Sequence, residues 1–166
     1  MTIEPIEGIT LELPGDWLER DTKAIQQELT EAFSGSPQSP QVRGFFPAGQ
    51  SEYIGVSVIS APPMTIGSEP QAFLDGVVKG IKEQFEKTEF REVLLTNLSE
   101  EHTANWPQHS FTFTMVSPSG TTHEAYYTLI LTPKRTVTLT MMDRKTPPSA
   151  FGPSLERTRK SLKVAS

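Results

Sequence analysis

The chain has 166 residues, 36% hydrophobic and 21% charged, with a formal net charge of -5; this size sustains one core that buries roughly two-thirds of the unfolded surface, so one domain over residues 1–166 is expected. There is no cysteine, which excludes disulfides, thiol nucleophiles, Cys-based zinc sites and iron–sulfur clusters together. The composition argues against disorder, and an acidic balance makes nucleic acid a poor partner, because binding there depends on many clustered bases.

Ile9, Leu11 and Leu13 alternate with Thr10 and Glu12 before Pro14-Gly15, which predicts a first strand and a turn, with Trp17 in the core. Ile25, Leu29, Ala32 and Phe33 then fit a short amphipathic helix capped by Asp21 or Thr22 and ended by Gly35. The Ser-, Pro- and Gly-rich stretch from Ser34 to Pro40 reads as a loop. Val42 to Phe46 and Glu52 to Ser60 read as a hairpin around Pro47-Ala48-Gly49-Gln50. Ser68 with Gln71 has the spacing of a capping box for the best helix in the chain, whose apolar stripe is Leu74, Val77, Val78, Ile81 and Phe85. Arg91 to Leu98 is strand-like, and the polar stretch from Ser99 to Pro107 reads as a loop.

From Gln108 to Asp143 a period of two repeats three times: Phe111, Phe113 and Met115; Tyr127, Leu129 and Leu131; Val137, Leu139 and Met141. Ser117 to Gly120 and Pro133-Lys134 supply the turns of this antiparallel meander. The second faces of these strands carry Thr112, Thr114, Tyr126, Thr128, Thr136, Thr138 and Thr140, which predicts one layer of intermediate polarity. Beyond Pro147-Pro148, Phe151, Leu155 and Leu162 mark a last helix with Arg157, Arg159, Lys160 and Lys163 toward its end. The sum is an α+β protein of about six or seven mostly antiparallel strands.

Chemistry is sparse along this chain. His123-Glu124 begins the pattern H-E-x-x-H, but Tyr127 stands where the second His is required, and the segment is strand-like. Glu100, Glu101, His102 and His109 have no helix or turn to converge them on a metal, and a solvated loop accounts for them. No G-x-S-x-G or S-x-x-K occurs. Neither an enzyme nor a cofactor or metal site is therefore expected. Aromatic residues in expected loops and outer faces, Phe45, Phe46, Tyr53, Trp106 and Tyr126, are candidate anchors for a protein interface together with Thr112, Thr114, Thr128, Thr138 and Thr140.

The opening Gly8-Ile9-Thr10-Leu11-Glu12-Leu13-Pro14-Gly15-Asp16-Trp17, the long helix from Pro70 to Lys87, the meander after it and the closing Ser161-Leu162-Lys163-Val164 resemble the PsbP/Mog1-like superfamily. That resemblance implies an α/β/α sandwich around a central, mostly antiparallel sheet of six to seven strands. It also implies a non-catalytic protein binder, of the kind that includes bacterial cytoplasmic chaperones for type VI secretion effectors. The expected partner is then another protein, a secretion effector or similar, with a homodimer left open. A carrier of small molecules or lipids, using a pocket between sheet and helices, is the alternative. No apolar run approaches the roughly 20 residues of a membrane span, and Met1 to Gly8 lacks the basic and apolar regions of a signal peptide, which predicts a cytoplasmic protein without stable membrane insertion.

Overall fold

In chain order the elements are β1 (Thr2–Ile6), β2 (Ile9–Glu12), β3 (Trp17–Arg20), α1 (Lys23–Ala32), β4 (Gln41–Pro47), β5 (Gly55–Ala61), α2 (Pro70–Glu86), β6 (Arg91–Thr103), β7 (Trp106–Val116), β8 (Thr122–Leu131), β9 (Thr136–Thr146), α3 (Gly152–Ser161) and β10 (Lys163–Val164). The computed structural model describes residues 1–49, 54–64, 67–103 and 106–165, with the backbone alone at 101–103. Seven strands form one antiparallel sheet in the order β3-β4-β5-β9-β8-β7-β6, and β1, β2 and β10 form a second sheet of three. The α+β class and the antiparallel pairing are as the periodicity predicts, and the central sheet is as the resemblance implies.

Each face of the large sheet carries its own core. On one face the small sheet and α3 bury Ile9, Leu11, Val58, Val137, Leu139 and Leu155. On the other, α2 lays Leu74, Val77, Val78, Ile81 and Phe85 over Phe111, Phe113, Met115 and Leu129. α1 lies on the α2 side of β4 and β5, where Ile25 borders a recess floored by Gly44, Gly55 and Ser57. A Cβ on Gly55 would fall 2.5 Å from the carbonyl oxygen of Phe45, so only glycine lets β4 and β5 approach here.

Register assigns the faces, and it corrects the expected threonine layer. Thr112 stands opposite Tyr126, and Ser110 opposite Thr128, on the α3 side; Phe111, Tyr127 and Thr140 form one row on the α2 side. Thr138 and Thr140 therefore look away from Thr112, Thr114, Tyr126 and Thr128. The apolar sets of β8 and β9 point to opposite faces, and alternation within a strand fixes its two sides without saying which side is which.

Several local expectations change. The stretch from Ser99 to Pro107 is not a loop: Ser99 pairs with Ser110 and Thr103 with Trp106, so the β6–β7 hairpin runs on as ladder. Trp106 begins β7 and is not in a loop, while Phe45 and Phe46 lie within β4, as the hairpin reading of Val42 to Phe46 places them, and not in the loop beyond it. The short strands β1, β3 and β10 carry too few residues to show a period. Thr22 holds the N-cap position of α1 without a side-chain cap bond, because its hydroxyl donates to the Val42 carbonyl at 3.3 Å. The expected capping box is absent from α2, where Pro70 opens the helix after Glu69 and Gln71 donates instead to Asp75 at 2.8 Å; proline's fixed φ suits a first helical position. Trp17 is half-buried at the rim of the α3-side core, edge-on to Phe151 with ring centroids 6.3 Å apart.

Candidate functional site: an open sheet face and its free edge

α3 and the small sheet cover the β4, β5 and β9 part of their face together with Ile130 of β8, and leave a cleft over the neighbouring parts of β6, β7 and β8. Two cross-strand rows define the opening: Asn97, Thr112 and Tyr126, then Ser99, Ser110 and Thr128. Together with Glu156 and Arg159 of α3 they enclose a cleft of about 200 Å³. Thr128 is buried at its floor, while Ser99, Ser110, Thr112 and Tyr126 are half-buried. Arg159 grips Glu156 with two bonds, Nε to Oε2 at 3.1 Å and Nη2 to Oε1 at 2.6 Å. Those bonds hold the Glu156 carboxyl below the usual range, the Arg159 hydrogen bond contributing most.

The cleft opens onto β6, the edge strand. One extra β6 residue is accommodated between Arg91 and Leu94 and another between Leu95 and Asn97, where the register shifts. Leu94, Leu95 and Leu98 are 57%, 39% and 41% exposed there. Leu95 and Leu98 stand opposite Phe113 and Phe111 on the α2 side, and Leu94 stands opposite Thr114 on the α3 side. From Val93 to Ser99 the strand carries no charge.

Of the residues singled out in the sequence, Thr112, Tyr126 and Thr128 line the cleft, and Thr114 lies one pair further along β7 opposite Glu124. Trp106 is partly buried against the α3-side core. Phe45 is buried, and Phe46 is half-buried with the Arg20 guanidinium 5.4 Å from its ring centroid. Thr140 borders a recess of about 90 Å³ on the α2 side, and Thr138 shares that side. Tyr53 lies outside the described residues.

Sequence reasoning missed the exposure of the three leucines and the part played by Glu156. One signal was available: Leu94 and Leu95 are adjacent, so a strand places one on each face, and a residue with a wet side was foreseeable. As to chemistry, the hydroxyl–imidazole contact between Thr121 Oγ1 and His123 Nε2, at 3.1 Å, belongs to the β7–β8 turn, where Ser117, Ser119 and Thr121 bond one another. Among the described residues no three acidic or imidazole side chains converge as a metal would need, and no helix is long and apolar enough to cross a membrane. The open face offers hydroxyl, amide and phenol hydrogen bonds beside an apolar strip.

No family model matches the chain, and no curated protein matches it significantly. Among solved structures, it is similar to the solution structure of cyanobacterial PsbP (CyanoP) from Synechocystis sp. PCC 6803, with a TM-score of 0.66 and 12% identity over 95% of this chain and 87% of that one. It is also similar to a crystal structure from Bacteroides thetaiotaomicron VPI-5482, with a TM-score of 0.52 and 12% identity over 96% of this chain. In that second case it spans 46% of the other chain's length. Element order, the covered central sheet and these superpositions agree: the fold is PsbP-like.

Proposed function

We propose that this chain is a non-enzymatic protein-binding module that takes an apolar segment of another protein. The observation that carries this reading is the β6 edge, where Leu94, Leu95 and Leu98 stand exposed beside an uncovered polar face. Apolar side chains grouped on a rigid element, with hydrogen-bonding groups around them, are what an interface core and rim require. Within that class we infer a bacterial cytoplasmic adaptor or chaperone, of the kind that escorts type VI secretion effectors, because an exposed leucine strip suits holding the apolar stretch of a larger client. The carrier reading is weaker: two clefts bordered by helices, at about 90 and 200 Å³, fall short of the roughly 300–1,000 Å³ of typical small-molecule pockets. The groove of about 620 Å³ elsewhere is lined mainly by polar residues, Glu7, Gln38, Gln41, Lys134 and Arg135 among them, where such pockets are mostly apolar.

The test is affinity capture of the tagged full chain from lysate of its source, with the native mass of the eluate. One stoichiometric protein partner is expected. A retained small mass without protein would favour the carrier, and a bare chain would remove the protein-binding reading.

A further inference from the structure

We propose that the free edge of β6 between Leu94 and Glu100 receives an extended strand from a partner protein, one with apolar side chains at alternate positions and a basic residue at each end. This rests on the protein-binding reading and adds to it the docking mode and the chemistry of the partner.

The two edges of the large sheet differ. β3 is four residues long and includes the ion pair of Glu19 with Arg43, while β6 is thirteen residues long. Short edges and charge are the usual protection against a stray strand. From Val93 to Ser99, β6 has neither charge nor proline; the extra residue between Leu95 and Asn97 interrupts the edge at one point, and a new ladder would form on the outward backbone groups on either side of it. An added strand gains main-chain hydrogen bonds at such an edge, and its side chains fall alternately on the two faces. On the α2 side it would meet Leu95 and Leu98; on the α3 side, Asn97 and Ser99. The matching segment is therefore apolar on one side and hydroxyl- or amide-bearing on the other.

Charge selects the ends. Glu89, Glu92 and Glu100 flank the leucines and are exposed, with Arg91 the base among them. The same acids weigh against a second copy of this chain. In antiparallel self-pairing, a register centred on Thr96 sets Glu92 opposite Glu100, and one centred on Glu100 sets its two copies face to face. Like charges directly opposite destabilise a strand pair.

The experiment is hydrogen exchange on the full chain with a synthetic peptide of sequence KKVTVTVTKK. Protection is expected at the amides of residues 93–100. The glutamate-flanked peptide EEVTVTVTEE is expected to bind about tenfold more weakly, the scale of two lost surface ion pairs, and KKVPVPVPKK to give no protection. Glu92→Lys with Glu100→Lys should reverse the preference between the first two peptides. Leu95→Lys with Leu98→Lys should abolish protection at a temperature where far-UV circular dichroism shows the variant still folded; each side chain is only about two-fifths exposed, so a modest fall in thermal midpoint is expected and does not count for or against docking. Equal protection by the proline peptide, or protection confined to other strands, would overturn edge docking. A natural partner held equally by the wild type and the double-lysine variant would also overturn it, yet would leave protein binding standing.

Discussion

His123 is buried on the α2 side, its imidazole 5.4 Å from the Phe90 ring and bonded through Nε2 to Thr121 at 3.1 Å. Burial lowers its pKa from the ordinary 6.5, Arg144 lowers it further and Asp143 partly opposes them. The unfolded chain therefore binds a proton that the folded chain resists. Stability is complete above about pH 6.5 and falls as pH drops toward the folded value. The thermal midpoint should decline between pH 7 and pH 5, and His123→Leu should flatten that decline; an unchanged slope would exclude His123 as its source. His109 behaves differently. It is 2% exposed, and neither ring nitrogen has a hydrogen-bond partner among the described residues. A buried polar group without a partner costs about 1–3 kcal/mol. His109→Leu should accordingly raise the unfolding free energy measured in urea by roughly 1 kcal/mol once the imperfect fit of leucine is counted.

The bond between α3 and the small sheet shows how few contacts fix an element. Thr158 is 1% exposed, and its hydroxyl is 2.7 Å from the Glu12 carbonyl and 3.0 Å from that of Ser154. Ser161 accepts from the Glu12 amide at 2.7 Å one turn later. Thr158→Val keeps the shape, removes the donor and leaves a carbonyl unsatisfied, so unfolding in urea should show a loss of about 1–2 kcal/mol; a smaller loss at Thr158 than at half-buried Ser154→Ala would contradict this role. At this scale the sequence was legible where a period is long enough to count. α2 and the strands β7, β8 and β9 follow from their apolar spacing. The side each strand presents did not, because a sheet buried on both faces places apolar residues on either side, and register with neighbours decides between them. The β6–β7 extension was hidden for a related reason: Ser99 to Thr103 is an unbroken run of polar residues, so no apolar alternation marks it as strand and it reads as loop. The leucines of β6 were visible as an apolar run, but a run says nothing of whether it ends a sheet.

Across the molecule, both cores share the same seven strands, so neither should survive alone. Trp17 and Trp106 report the α3-side core, and far-UV circular dichroism reports the whole backbone. Their urea transitions should coincide, and separated midpoints would mean that the cores melt independently. The two ends of the chain, acidic from Met1 to Phe33 and basic from Lys134 to Lys163, meet in the fold: β10 pairs with β2 and Arg135 donates to the Glu7 carbonyl at 2.7 Å. Finally, β5 pairs with β9 rather than with β6, so α2 carries the chain across the whole sheet before the meander returns. During synthesis the strand ending at Ala61, paired on one side with β4, has to wait for the ribosome to reach Thr136 before its other side is covered. In that interval β6, β7 and β8 can zip together by local pairing, which is the fast kind. The nascent chain passes through a stage with two half-sheets and an open seam between them, and that stage is where a chaperone or a faulty neighbour would find it.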